Sequence, residues 1–175
     1  DVISQPRLDD YYQNLSRRIE CCSKSLAFIH IPKTAGTAVM DKLRSTLPSV
    51  KYFNRRDELR SIKGYSAVAG HLYLSDVLSF DAHFDLIFSV LRDPQSRFLS
   101  AIAHARRPDE CPQSLTPAMQ AMRNLSLMDF VETDFAMYEM NAFSVYLGWH
   151  DSLSVEDMAA IRDKASEQIA NSKIT

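Results

Sequence analysis

No run of this 175-residue chain approaches the ~18 consecutive apolar residues of a membrane span, so no segment reads as a transmembrane helix. Its first residues show no signal-peptide pattern. Cysteine is scarce. Cys21 and Cys22 are adjacent and Cys111 stands far off, which fits neither a disulfide framework nor a metal-ligand spacing. Free thiols in a reducing compartment are the simplest reading. A dominant charge is missing as well: 20 Lys and Arg against 22 Asp and Glu leave a net charge of -2 and a pI near 6.2. That balance argues against a nucleic-acid or membrane-surface binder, while a local basic cleft can hide inside it. None of the five histidines shows a metal-binding spacing such as His-Glu-x-x-His. Repeats, low-complexity tracts and obvious linkers are absent too. The sequons Asn14-Leu15-Ser16 and Asn124-Leu125-Ser126 match the glycosylation pattern, but two such matches arise easily by chance.

What is present is enough apolar residue, 46%, to bury one sizeable core, so residues 1–175 are expected to form a single domain. Strand and helix patterns alternate along it. The spacing predicts an amphipathic helix near Leu8 to Glu20, a strand at Leu26 to Ile31, and a helix from Thr37 to Thr46 stopped by Pro48. A short strand at Val50 to Phe53, a charged helix or loop through Lys63, and a small-residue strand at Ser66 to Gly70 follow. Leu86 to Leu91 reads as a buried strand, with a helix after it, and everything past Pro117 reads helical. In the last helix Ser154 is the expected N-cap, with Val155, Met158, Ala159, Arg162, Ala165 and Ile169 along one side and the Arg162 charge in water. The expected fold class is α/β. A three-layer, P-loop-like arrangement is predicted, with a parallel sheet of about four to five strands, right-handed crossovers and a helical C-terminal half.

The most informative stretch is Phe28-Ile29-His30-Ile31-Pro32-Lys33-Thr34-Ala35-Gly36-Thr37-Ala38. An apolar, β-prone run stops at a proline, and a lysine, two hydroxyls and a glycine follow before a helix begins. Strand, tight loop and helix N-terminus in that order leave backbone N–H groups pointing at an anion. Lys33 adds a point charge, Thr34 and Thr37 add hydroxyl donors, and Gly36 allows close backbone approach. The lysine precedes the only glycine, unlike the Walker pattern G-x-x-x-x-G-K-[ST]. On its own, the stretch is matched evenly by an ordinary strand-to-helix turn.

A second stretch breaks the tie: Phe84-Asp85-Leu86-Ile87-Phe88-Ser89-Val90-Leu91-Arg92-Asp93-Pro94-Gln95-Ser96-Arg97-Phe98-Leu99-Ser100. Pro94 suits the first turn of a helix and Asp93 its N-cap. Arg92 is then at the strand's C-terminal end and Ser100 about two turns into the helix, at the crevice where open α/β sheets bind ligands. A guanidinium and a hydroxyl there make a second anion clamp. The competing role for Arg92 is an ion pair with Asp93 or Asp85.

Together these two stretches resemble the sulfotransferases that use 3′-phosphoadenosine 5′-phosphosulfate (PAPS), most of all the carbohydrate-type branch that includes the heparan sulfate 2-O-sulfotransferases and bacterial relatives. Likeness runs from about Leu26 to His104, with a weaker echo from Asn141 to Gly148. The resemblance implies that Lys33, Thr34, Ala35, Gly36 and Thr37 hold the 5′-phosphosulfate, and that Arg92 and Ser100 hold the 3′-phosphate. It implies His71, in Gly70-His71-Leu72-Tyr73, as the general base, with Glu58 or Asp57 in reserve from branches that use a glutamate. Lys33 would stabilise the leaving phosphate oxygen. Ala38 departs from the serine common in the family, removing one hydroxyl contact. Family members also continue into another strand and a loop closing over the nucleotide, so a chain running from Asp1 to Thr175 is expected to be truncated at its C-terminus.

The implied function is sulfuryl transfer from PAPS as co-substrate to an acceptor hydroxyl of a carbohydrate or small metabolite, with no metal required. Asn141, Phe143 and Tyr146 lie where relatives place residues near the acceptor, although core packing explains the two aromatics equally well. Arg106 and Arg107 are candidates for an anionic group, with surface solvation as the default. Acceptor contacts are expected from residues 54–63 and 107–139. The other readings are a nucleotide or small-molecule kinase with a variant loop, and a domain that binds nucleotide or a partner without catalysis. The expected location is the cytoplasm for a bacterial protein, or the Golgi lumen for a trimmed eukaryotic enzyme.

Overall fold

The computed structural model describes residues 13, 17, 25–53, 64–80, 84–109, 115–149 and 157–171. Four short strands carry the sheet: β1 (Leu26–Ile29), β2 (Val50–Phe53), β3 (Ala67–Gly70) and β4 (Leu86–Ser89). They run parallel in the order β2-β3-β1-β4, with Leu26 opposite both Ala67 and Leu86. Eight helices accompany them among the described residues: α1 (Gly36–Thr46), α2 (Leu74–Ser79), α3 (Pro94–Ala105), α4 (Pro117–Asn124), α5 (Leu127–Val131), α6 (Asp134–Met140), α7 (Ala142–Gly148) and α8 (Met158–Ala170).

Because side chains alternate across a strand, β1 contributes to two cores at once. Leu26 and Phe28 join Ala67, Ala69 and Phe88 under Val39, Met40 and Leu43 of α1. Ala27 and Ile29 join Val68 and Phe53 on the other face, under α2, α7 and Ala165 of α8. All four β1 residues are buried, the pattern of a parallel strand covered on both sides. Each fully buried large side chain of this kind contributes about 1.5–3 kcal/mol. A third core under the C-terminal half gathers Phe98 and Ile102 of α3, Met122 of α4, Phe130 of α5 and Ala136 of α6. The fold is therefore α/β, a four-stranded parallel sheet flanked by helices with a helical C-terminal half.

Strand and helix ends follow local chemistry. β1 and β4 stop in register at Ile29 and Ser89, earlier than the apolar runs to Ile31 and Leu91 suggest. Ser89 Oγ donates to the Ile29 carbonyl at 2.8 Å and ties the two ends together. The carboxylate of Asp93 accepts from the Ser96 N–H at 2.7 Å and caps α3, with Pro94 in its first turn, as the sequence predicts. Helix α8 corrects the predicted stripe. Its buried side is Met158, Ile161 and Ala165, while Ala159, Arg162 and Ile169 are exposed. A step of three from Met158 to Ile161, rather than four to Arg162, sets the face, because Ile161 packs with Val145 of α7. Of the segment Leu8 to Glu20 only Gln13 and Arg17 are described, both helical. Cys21, Cys22, Asp57, Glu58, His83, Cys111, Ser154 and Val155 lie outside the described residues.

Candidate functional site

The loop from Ile31 to Ala35 joins β1 to α1 at the carboxyl edge of the sheet. Two of its non-glycine residues, Lys33 (φ 69°) and Ala35 (φ 66°), take the left-handed conformation. That costs about 1–2 kcal/mol per residue, so the backbone concentrates strain where the chain turns into α1. Thr34 stabilises the turn from inside: its Oγ1 donates to the Ile31 carbonyl at 2.7 Å, and the residue is buried. Ala35 stands at the N-cap of α1 and supplies no side-chain cap to the first-turn N–H groups.

A cavity of about 1070 Å³ opens in front of this helix end. Lys33, Ala35, Gly36 and Thr37 line it from the first loop. Arg92 and Ser100 line it from the β4–α3 segment, and His71 from the end of β3. Thr34 does not. Its hydroxyl is turned into the loop, so the sequence-predicted set is assembled around one cavity except for that side chain. Arg92 is exposed, and its guanidinium reaches back to the Lys33 carbonyl at 3.4 Å. Asp85, one of its expected ion-pair partners, instead accepts from the Ser25 N–H at 2.9 Å.

His71 follows Gly70, whose φ of 154° and close packing require glycine: a Cβ there would lie 2.1 Å from the Phe53 carbonyl oxygen. That same oxygen accepts from the His71 N–H at 3.3 Å, fixing the backbone that carries the imidazole. Burial lowers the His71 pKa below its ordinary 6.5, so the ring is neutral at neutral pH and able to accept a proton.

The cavity also gathers residues beyond that set, among them Tyr146, one of those expected near the acceptor. His30, the first residue after β1, lines the cavity, and its ring lies 4.8 Å from the His71 ring, centroid to centroid, tilted by 46°. Its Nδ1 lies 2.6 Å from Tyr52 Oη of β2. Burial, then the neighbouring His71 and Lys33 charges, push His30 down to about 4. Arg97 is 2% exposed and bonds to the Pro32 carbonyl at 3.4 Å, the Glu139 carbonyl, and the Glu139 carboxylate at 3.0 Å. It therefore fastens the first loop and α3 to α6. Glu139 and Tyr138 of α6 and Tyr146 of α7 line the cavity, and Tyr138 Oη lies 2.7 Å from Tyr73 Oη. Burial raises the pKa of Tyr138 and Tyr146, so both remain protonated phenols.

The arginine pair divides. Arg106 donates to the Met122 carbonyl and the Leu125 carbonyl, both at 2.9 Å, and so joins α3 to the end of α4, whereas Arg107 lines the cavity. Met119 and Met122 of α4 and Phe135 of α6 add apolar lining to the cavity. Among the described residues, no helix is long and apolar enough to cross a membrane, and no group of three or more His, Cys, Asp or Glu is placed to hold a metal ion. The chain matches no family model, no curated protein and no solved structure among those with which it was compared.

Proposed function

We propose that this protein is a sulfotransferase that moves the sulfuryl group of PAPS to an acceptor hydroxyl, on a carbohydrate or small metabolite. One observation carries the reading: Lys33 and Thr37 at the α1 N-terminus, Arg92 and Ser100 beyond β4, and a neutral His71 all face one cavity. The first group suits a 5′-phosphosulfate, since a helix N-terminus and a lysine complement an anion. Arg92 and Ser100 suit a 3′-phosphate, a group that ATP lacks.

In the proposed reaction His71 takes the proton of the acceptor hydroxyl as its oxygen attacks sulfur. The bond from sulfur to the bridging 5′-phosphate oxygen breaks, and 3′-phosphoadenosine 5′-phosphate leaves. Lys33 balances the negative charge that develops on that phosphate. Catalysis on this account is mostly positioning and electrostatics. The Arg97 tie between the loop and α6 keeps donor and acceptor walls in register.

The test is isotope transfer from sulfur-labelled PAPS across a panel of hydroxyl acceptors. Labelled product from the wild-type protein, with His71→Ala still binding nucleotide and losing turnover, supports the reading. Turnover with ATP and magnesium but not with PAPS contradicts it, as does near-normal turnover by His71→Ala.

A further inference from the structure

His30 and His71 are the residues immediately past β1 and β3, and the register Ile29↔Gly70 sets them side by side. One edge of the His30 ring meets Tyr52, with 2.6 Å between Nδ1 and Oη. The other edge meets the start of α1. A Cβ built on Gly36 would lie 1.8 Å from His30 Nε2, so the imidazole fills the space that a side chain would take at the helix's first residue. Gly36 is glycine because His30 is there, and Nε2 is thereby held beside the cradle of Lys33, Gly36 and Thr37.

A pKa near 4 leaves His30 neutral, with one N–H to place. Tyr52, pushed up to about 12 by burial, keeps its phenolic proton. The direction of their hydrogen bond then decides which ring nitrogen carries hydrogen. If Tyr52 donates, its hydrogen has Nδ1 as acceptor and the imidazole N–H is at Nε2. If Nδ1 donates, Nε2 carries no hydrogen, and the half-buried phenol has no acceptor for its own hydrogen among the described residues. The first arrangement pairs the phenolic hydrogen with Nδ1 and leaves the Nε2–H beside Gly36 open to a ligand.

We propose that His30 is a further ligand-binding residue: Tyr52 holds it as the Nε2–H tautomer, and that N–H donates to the anionic oxygens of the group bound at the N-terminus of α1. Tyr52 is the positioning residue that fixes this tautomer. The inference rests on the reading of the cavity as a nucleotide phosphosulfate site. It also explains the use of an imidazole rather than a second lysine. His30 adds a donor without adding a positive charge 4.8 Å from His71, where a cation would weaken that residue as a base.

Two measurements test it. Nitrogen-15 NMR of the free protein reads the tautomer directly, and the Nε2–H pattern at His30 is expected; the Nδ1–H pattern overturns the proposal. Calorimetric titration with 3′-phosphoadenosine 5′-phosphate reads the donor. His30→Leu is expected to bind about 10-fold or more weakly than wild type, the usual loss for a hydrogen bond to a charged group. His30→Gln, which returns an N–H near the Nε2 position, is expected to recover most of that loss, and Tyr52→Phe to fall between the two. Wild-type affinity in a folded His30→Leu variant overturns the donor role alone. Failure of the wild-type protein to bind the nucleotide overturns the phosphosulfate reading and the donor role with it.

Discussion

The Arg92 guanidinium lies 3.4 Å from the carbonyl oxygen of Lys33, so the two segments that carry cations into the cavity touch each other. Their separation in sequence is closed by β1 and β4 pairing in parallel and ending at the same level, Ile29 beside Ser89. Arg92 is exposed and makes little of the core. Arg92→Ala is therefore expected to weaken nucleotide binding about 10- to 100-fold by calorimetry, while the thermal unfolding midpoint stays unchanged.

Thr34 plays a different part from its neighbours. Its hydroxyl holds the Ile31 carbonyl inside the loop at 2.7 Å. Thr34→Val removes that donor while keeping the shape, and denaturant unfolding should show a loss of about 1–3 kcal/mol, as for other buried acceptors left unsatisfied. Thr34→Ser keeps the hydroxyl and should retain most of the stability.

Gly36 and His30 compete for one volume. Gly36→Ala is expected to push the imidazole off Tyr52 and cost about 1–3 kcal/mol, as overpacking does. His30→Ala makes room, so the double variant Gly36→Ala/His30→Ala should be more stable than the sum of the single changes predicts. A double-mutant cycle measured by chemical denaturation checks the coupling. Additive effects would show that the contact is not tight.

The pH response follows from the two histidines. Both have folded pKa values below 6.5, His30 at about 4. The unfolded chain therefore takes up protons before the folded one does. Stability is full above about 6.5, and falls as pH drops from there towards 4. Thermal unfolding across that window should show the decline, and His30→Gln should make it shallower. For turnover by the proposed mechanism, in which His71 is the neutral base, kcat/KM should fall on the acid side with an apparent pKa below 6.5.

Both candidate anion loops were legible in the sequence because their apolar strands end at prolines and charges, and because Arg92 falls at a strand end with Ser100 about two turns into the helix that follows. Tyr52 was not. It sits 22 positions from His30, and the two meet only because the structure's order β2-β3-β1 brings these strand ends round His71. Arg97 has no role assigned from the sequence. Its burial depends on Glu139, 42 positions away, and on a Pro32 carbonyl that offers a partner only once the loop is folded. In α8 the apolar step from Met158 to Ile161 was itself legible, and the series through its charged neighbour Arg162 missed the face that packs on Val145.

The central claim is that one cavity recognises both the 5′ and the 3′ groups of a phosphoadenosine nucleotide. The most direct measurement compares wild-type affinity for 3′-phosphoadenosine 5′-phosphate with that for 5′-AMP, which differs only in the 3′-phosphate. The account predicts that the 3′-phosphorylated nucleotide binds at least about 10-fold more tightly, the contribution expected of a charge-assisted contact from Arg92 and Ser100. Equal affinity for the two nucleotides, or no binding of either, would contradict it.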